Sequence, residues 1–424
     1  MEKLKNKIIS ILRWSEKHTK TDMLYLFKGG FWGALSQICL TLMTFGLAVA
    51  FAHLVPKETY GQYKYIMSII SLLSILSLTG LGTAVAQSIG RGYEGTMQYA
   101  FWKNIKWSIF FFIGAGLTSI YYFSQNNSTI GISMLIAGCL WPFFTSTNLY
   151  SSILIAKKDF RRVSIYFDII GNLVPYICLF VIMFLTSNPI FFVAVYIISN
   201  TLTGAVLYKR ILSIYKPNKE IDSEVLHYSK HLSFMGILSG IADNIDQILV
   251  FHYVGAIQLA VYNFATALPD QTRGPIKSLS NLIFPKFTER PDKEIHSGMK
   301  YKFFVLFIIS FLTIVIYILI APYVFKIFFP KYTDSVFLSQ IFSLSLLYIM
   351  AIPANTYLSA KKKIKEQYII NIFISMFQII IVFTSIVFWG IFGLIIARVV
   401  VRIVSAATSI SLYKISVWKT HQSK

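Results

Sequence analysis

The sequence predicts an all-α polytopic membrane protein with twelve transmembrane helices arranged in two halves of six. Three observations support this prediction: composition, long apolar runs, and an alternating distribution of charge. Of the 424 residues, 55% are hydrophobic and only 13% are charged, whereas soluble domains contain about 25% charged residues. This composition excludes an ordinary water-soluble enzyme.

The apolar runs have the length that a helix needs to cross the hydrocarbon core, about 20 residues. Phe31 to Phe51 and Phe303 to Val324, for example, contain few or no charges. The predicted spans are bounded by Pro, Gly, Asn or clusters of charge, and we number them in chain order. They are 29–53, 60–88, 105–124, 129–155, 164–186, 189–208, 231–253, 258–285, 302–325, 336–359, 367–388 and 391–413.

The basic residues predict the orientation of these spans. Thirty-one Lys and Arg residues lie in alternate loops and at the two termini, while the other loops hold only Lys57, Lys326 and Lys331. Because cytoplasmic loops are enriched in Lys and Arg, both termini are predicted to be cytoplasmic. The net charge of +21 therefore favours contact with anionic membrane lipids rather than nucleic acid.

Residues 1–28 mix six lysines and one arginine with Leu, Ile and Trp, a composition typical of a basic helix in the cytoplasmic interface. A secretory signal is the alternative, but no cleavage site of small residues follows a suitable apolar region. The seven histidines are scattered, and the three cysteines fall inside predicted spans. We therefore expect neither a metal site nor a cofactor.

The chain divides near its midpoint. The predicted organisation is a basic interfacial helix (1–28), an N-terminal lobe (29–208), a cytoplasmic linker (209–230), a C-terminal lobe (231–413) and a cytoplasmic tail (414–424). Weak internal similarity favours duplication, because Val55 to Tyr63 matches Val254 to Tyr262, and Ala156-Lys157-Lys158 matches Ala360-Lys361-Lys362. Repeats of this kind are a transporter design in which the substrate path lies between the halves.

Nine charged residues remain inside predicted spans: Lys64, Arg273, Lys277, Arg398, Arg402, Asp168, Asp243, Asp246 and Asp270. Each would cost about 2.5 to 3.5 kcal/mol at a lipid-facing midpoint, so each should face the bundle interior or a watery cavity. Asp270, Arg273 and Lys277 follow one stripe of the eighth span. Such a stripe predicts a cavity that binds a phosphate-bearing or acidic substrate.

A structural alternative exists for most of these residues. Asp243 or Asp246 could neutralise Arg273 across the seventh and eighth spans and hold the lobe together. Lys64 lies about one turn from the predicted outer interface and could extend its ammonium group into water.

Several short segments resemble one family in order along the chain. Leu54 to Tyr63 (LVPKETYGQY), followed by Gly80-Leu81-Gly82-Thr83-Ala84, is similar to the first hinge and second helix of polysaccharide flippases of the Wzx type. Asp246 to Val250 with Tyr262, and Phe329-Pro330-Lys331-Tyr332, resemble later segments of the same family, which belongs to the multidrug/oligosaccharidyl-lipid/polysaccharide exporter superfamily.

This resemblance implies a V-shaped, two-lobed transporter of the bacterial inner membrane, whose central cleft is lined by spans one, two, seven and eight. Its substrate would be an undecaprenyl-diphosphate-linked oligosaccharide of O-antigen, capsule or exopolysaccharide, flipped by alternating access and coupled to H⁺ or Na⁺. Glycan polymerase and chain-length proteins are the implied partners. In that architecture the twelfth span, with Arg398 and Arg402, is peripheral.

The predicted substrate-binding residues are Arg273, Lys277, Lys64, Arg398 and Arg402, and the predicted ion-coupling residues are Asp243, Asp246 and Asp270. A multidrug or cation antiporter of the same superfamily is one alternative, although it should have an acid-dominated cleft. A membrane-embedded glycan polymerase or ligase is a second alternative, but such an enzyme normally needs a sizeable outer loop bearing Arg or His. No predicted outer loop exceeds about a dozen residues.

Overall fold

The computed structural model describes residues 23–271, 287–288 and 290–422, and every regular element in these ranges is a helix. The predicted interfacial helix 1–28 therefore lies almost wholly outside the described residues. The first described helix begins at Met23 and continues to Leu54 without a break.

In the first half, most predicted spans consist of two or three consecutive helical pieces. In chain order the helices are Met23–Leu54, Lys57–Leu73, Ser74–Leu76, Leu81–Gly90, Thr96–Trp107, Ile109–Ser124, Ser128–Thr147, Tyr150–Ala156, Phe160–Arg162, Val163–Ile170, Gly171–Leu185 and Pro189–Tyr215. Of these, Ser74–Leu76 is a 3-10 turn and Val163–Ile170 is a π-helix.

The second half also begins with a long helix, and its tenth span is broken into three pieces. Its helices are Val225–Val254, Ala256–Gln271, Asp292–Ser297, Met299–Phe328, Pro330–Tyr332, Ser335–Ser343, Leu344–Ala351, Ile352–Ala360 and Ile364–Gln422. Within the last of these, Gly390 has φ 59° and ψ −147° and separates the eleventh from the twelfth predicted span. Glycine adopts this conformation at no steric cost, so the backbone can turn there.

Nine helices within the described ranges are long and apolar enough to cross a membrane, or ten if the bent pair Lys57–Leu76 and Leu81–Gly90 forms one span. The two members of this pair meet at an angle of 53°. The eighth predicted span is described only as far as Gln271. The count of twelve therefore stays a prediction, while the all-helical membrane fold is confirmed.

The turn that follows the fourth span of each half has the same backbone geometry. Lys158 and Lys362 both have positive φ, 56° and 51°. The next residue in each turn donates its amide to a carbonyl five residues back, Asp159 to Leu154 at 3.0 Å and Lys363 to Leu358 at 2.9 Å. Because positive φ is uncommon for lysine, this shared geometry supports the predicted duplication.

The core contains several clusters of buried side chains. The largest includes residues from both halves and lies toward the ends of the helices that are predicted to face outside. A second cluster lies at the opposite end of the first half, and a third at the corresponding end of the second half. The two lobes therefore share a packed core at one end of the molecule.

Candidate functional site

The two lobes approach each other closely where the second span begins. A Cβ atom added to Gly61 would lie 1.9 Å from the carbonyl oxygen of Ala256, the first residue of the helix of the eighth span. No side chain fits at that distance, so glycine is required for this contact. The sequence places Gly61 in the hinge that resembles the flippase family, but it gives no signal of what Gly61 touches.

Aromatic side chains pack around this contact and connect the lobes. The ring of Tyr60 lies 5.1 Å from that of Phe264 in the eighth span and 5.0 Å from that of Phe51 in the first. One turn further along the second span, Tyr65 stacks on Phe251 of the seventh span at 3.7 Å. Aromatic pairs at these distances are attractive beyond the apolar area they bury. We call this group, Phe51, Tyr60, Tyr65, Phe251 and Phe264, the aromatic seal.

Two polar contacts tie the lobes together beyond the aromatic seal. The ammonium group of Lys57 lies 3.3 Å from a carboxylate oxygen of Asp334. Lys331 donates to the carbonyl oxygen of His53 at 2.8 Å. Two of the three basic residues predicted to lie outside therefore join the first half to the second, which closes this end of the interface.

Lys64 lies between two members of the aromatic seal, Tyr60 and Tyr65. It is one turn after Tyr60, so both side chains project from the same face of the second span, and the ammonium group lies 5.9 Å from the Tyr60 ring. The side chain is partly buried and forms no ion pair within the described part of the chain. Because Tyr60 touches both the first and the eighth span, Lys64 lies beside the contact between the lobes.

A polar contact between Thr44 and Gln271 lies at the end of the described part of the eighth span. Gln271 donates to the Thr44 hydroxyl at 3.2 Å and joins the first span to the eighth. Arg273 and Lys277 follow Gln271 in the chain and lie outside the described residues. Their predicted role therefore stays a prediction.

Asp246 is the most buried of the predicted acids, with 3% of its surface exposed. Tyr262 of the eighth span donates its hydroxyl to one carboxylate oxygen at 2.5 Å. The Nε atom of Arg398 lies 3.5 Å from the same oxygen, and the amide of Gln247 donates to the other at 2.9 Å. Asp246 therefore has three partners on three predicted spans.

A second ion pair lies beside the first. Arg402, itself buried, donates to Asp270 and to the hydroxyl of Ser345, the latter at 2.7 Å. Its guanidinium group also lies 4.5 Å from the Phe342 ring. The expectation that Arg398 and Arg402 are peripheral is therefore wrong, since both side chains lie inside the second lobe and neutralise its acids.

A cavity of about 190 Å³ adjoins these ion pairs. Asp243, Arg398, Arg402 and Gln378 are among the residues that line it. This volume accommodates several water molecules, since each occupies about 30 Å³ in the liquid. Sequence reasoning found Asp243 but missed Gln378 and Ser345, because neutral residues inside apolar spans give no charge signal.

Among the described residues Asp246 pairs with Arg398, while the alternative pairing with Arg273 stays a prediction because Arg273 lies outside them. Outside the spans, Arg162 pairs with Asp159 at 2.8 Å. At the predicted inner end, Lys157 donates to Glu94, and this hydrogen bond holds the pKa of the Glu94 carboxyl below its usual value. The Glu94 carboxylate also accepts from the amide of Asn218 at 3.2 Å, which docks the linker onto the first lobe.

Comparisons with known proteins agree with this architecture. A family model described as a polysaccharide biosynthesis protein matches residues 50–301. A search of curated protein sequences found no match.

Several solved transporter structures share the fold. The inward-facing conformation of a multidrug resistance transporter of the MATE family and MOP superfamily aligns with a TM-score of 0.67 at 15% identity, over 93% of this chain and 99% of that one. The outward-facing conformation of such a transporter gives 0.61 at 14% identity, over 94% and 97%. A MOP superfamily transporter from Pyrococcus furiosus, described as having a binding pocket of reverse polarity, gives 0.62 at 15% identity, over 92% and 95%.

Proposed function

The chain belongs to the family of polysaccharide biosynthesis proteins, and from that premise we propose that it is a flippase for an undecaprenyl-diphosphate-linked oligosaccharide. It translocates the repeat unit of an O-antigen, capsule or exopolysaccharide across the bacterial inner membrane by alternating access, and it performs no catalysis. Both termini are cytoplasmic in this proposal, and the glycan polymerase and chain-length proteins are its partners.

The observation that carries this proposal is the sign of the charge at the lobe interface. Lys64 lies beside that interface with no ion pair among the described residues, whereas Asp246 and Asp270 are already bound by Arg398 and Arg402. An ammonium group is expensive to keep in a membrane span without an anionic partner. A diphosphate or an acidic sugar supplies that partner, and a cationic drug does not.

Arg273 and Lys277 extend the same argument along the eighth span. If their side chains reach the interface between the lobes, they provide further donors for phosphate oxygens. Arg398 and Arg402 take part less directly, because each is held by an acid of its own lobe.

The experiment measures flipping of the lipid-linked oligosaccharide in proteoliposomes. Replacing Lys64 by Gln removes the charge, and we expect the rate to fall about tenfold or more, since a charge-assisted hydrogen bond contributes roughly 1.5 to 3 kcal/mol. Lys64→Arg should retain most of the rate. Lys326→Gln is the matched control, because Lys326 is exposed near the predicted outer end of the ninth span.

An unchanged rate in Lys64→Gln would overturn the proposed role of Lys64. The drug antiporter alternative predicts a different result, namely that the vesicles transport a cationic dye and that Lys64→Gln leaves this transport intact. Dye transport without glycan flipping would overturn the flippase proposal itself.

Coupling to H⁺ or Na⁺ is the second part of the proposal, and Asp243, Asp246 and Asp270 are its carboxylates. The cavity that Asp243 lines gives a cation access to the ion pairs of Arg398 and Arg402. A cation bound there competes with Arg398 for Asp246 and loosens the twelfth span from the seventh. A ligand that favours one arrangement in this way shifts the balance between two conformations.

This part is tested with Asp246→Asn and Asp243→Asn, which keep the shape of the side chain and remove its charge. Coupling predicts that one or both variants still fold but transport without responding to an imposed proton or sodium gradient. The competing account is a fixed ion pair that never titrates, and it predicts unchanged gradient dependence in both variants.

A further inference from the structure

The first lobe contains a second, uncharged cavity that the proposed mechanism has not used. It has a volume of about 330 Å³ and lies where the second span breaks, between that break and the third, fourth and fifth spans. A neighbouring cavity of about 480 Å³ shares Thr79, Gly82 and Ser151 with it and continues toward the predicted inner end at Ala156. The two cavities are therefore adjacent, and we call them together the N-lobe pocket.

The break in the second span exposes polar groups to this pocket. The helix stops after the 3-10 turn Ser74–Leu76, and the next helix begins at Leu81. Irregular backbone at membrane depth is tolerated where it is buried in protein or lines a cavity. Thr79 and Thr83, spaced one turn apart across the restart of the helix, are both exposed and both line the pocket.

Other groups around the pocket are suited to a ligand with both donors and acceptors. Asn104 donates to Thr145 at 3.1 Å and to Ser146 at 3.0 Å, which uses both hydrogens of its amide and leaves its oxygen to accept. Asn148 also lines the pocket, and its side-chain amide has no partner among the described residues.

The pocket combines these amides and hydroxyls with aromatic rings. Trp141, Phe144 and Phe167 line it, and the stacked ring of Phe111, 5.9 Å away, holds the indole of Trp141 in place. Within the described ranges the lining contains no charged side chain. A few placed polar groups among apolar surfaces are typical of a small-molecule site. Hydroxyl groups around an apolar ring face make a neutral sugar the matching chemical class.

We propose that the N-lobe pocket binds an uncharged sugar unit of the transported glycan. This inference rests on the proposed function and adds a specificity site to it, separate from the anion-binding residues of the interface. The sugar hydroxyls pair with Thr79, Thr83 and the side-chain amide of Asn148. The aromatic rings cover the apolar face of the sugar.

The test compares binding of two probes to the purified protein in lipid nanodiscs. One probe is undecaprenyl diphosphate carrying a neutral tetrasaccharide, and the other is undecaprenyl diphosphate alone. We expect the sugar-bearing probe to bind at least about tenfold more tightly than the sugar-free probe. This difference in affinity corresponds to about 1.4 kcal/mol. Trp141→Phe and Asn148→Ala should each remove most of this difference while leaving binding of the sugar-free lipid unchanged.

A second pair of variants tests the space itself. A Cβ atom at Gly82 would have only Ser152 Oγ nearby, at 3.7 Å, which is an ordinary contact. Gly82→Ala should therefore bind both probes as the wild type does, whereas Gly82→Leu fills the junction of the two cavities and should weaken binding of the sugar-bearing probe alone. Thermal unfolding of each variant checks that it remains folded.

Two outcomes overturn different claims. Equal binding of both probes to the wild type, unaffected by Trp141→Phe, Asn148→Ala and Gly82→Leu, overturns the sugar site and leaves the flippase proposal standing. Failure of the wild type to bind either probe more tightly than an ordinary phospholipid overturns the proposed function.

Discussion

Removing Arg398 tests whether the ion pair with Asp246 holds the second lobe together. Arg398→Met keeps an unbranched side chain and deletes the guanidinium. The two side chains are only 13% and 4% exposed, so solvent screening does not reduce the effect. Breaking a buried pair by deleting one partner costs about 3 to 5 kcal/mol. We expect Arg398→Met to lower the free energy of unfolding by about 3 kcal/mol, the low end of this range. The reason is that Tyr262 and the backbone amide of Gln247 still donate hydrogen bonds to the carboxylate.

The assay is equilibrium unfolding of the purified protein by SDS in mixed micelles, for Arg398→Met, Asp246→Asn and the double variant. Asp246→Asn should lower the free energy of unfolding by less than Arg398→Met does, because Asp243, which lines the same cavity as Arg398, still balances its charge. The double variant should be more stable than the sum of the two single effects predicts, by about 1 to 3 kcal/mol. This excess is the coupling energy of the pair.

The exposed pair of Lys57 and Asp334 is the control for this cycle. Its side chains are 27% and 75% exposed, and exposed pairs contribute about 0 to 1 kcal/mol. A coupling energy for Arg398 and Asp246 no larger than that of Lys57 and Asp334 would refute the argument that burial makes the inner pair structural.

Three further predictions concern other parts of the molecule. Gly61→Val should lengthen the spin-label distance between the outer ends of the second and eighth spans, because a Cβ there would lie 1.9 Å from the Ala256 oxygen; Gly46→Val, with no atom within 4 Å of such a Cβ, should not. The hydrogen bond from Lys157 depresses the pKa of Glu94, so the stability it contributes is present above pH 4.5 and is lost as the pH falls through the lower, folded-state pKa. Glu94→Gln should lack this part of the pH dependence of thermal unfolding. Finally, reporter fusions at Asn126, Asn188 and Gly390 should report outside, and fusions at Lys158, Lys219 and Lys363 inside; a reversed pair would contradict the topology at that point.

The sequence predicted the features that depend on local composition. Apolar runs located the long helices, and the matching segments at Lys158 and Lys362 predicted duplication before the shared turn geometry was known. Length alone did not reveal that the second span breaks after Leu76 and resumes at Leu81. The reason is that the break contains Ser, Leu, Thr and Gly, a composition that apolar spans also tolerate.

Pairing between distant residues could not be predicted in the same way. The cost of a charge in a membrane placed Asp246 in the interior, but the choice of partner depends on which helices meet. Proximity in the sequence favoured Arg273, whereas the packing of the seventh span against the twelfth brings Arg398 to within 3.5 Å. The N-lobe pocket was missed for a related reason, since its Ser, Thr and Asn residues carry no charge and only the bend of the second span brings them together.

The two lobes differ in chemistry, and this difference bears on the substrate. Among the described residues, the second lobe concentrates buried charge in the pairs of Asp246 with Arg398 and of Asp270 with Arg402. The pocket of the first lobe instead presents neutral hydroxyls, amides and aromatic rings. A uniformly cationic drug needs neither surface, because the acids are already neutralised. A molecule with an anionic group for Lys64 and neutral sugars for the N-lobe pocket matches both surfaces. The difference between the lobes therefore favours a substrate that combines an anionic group with neutral sugars.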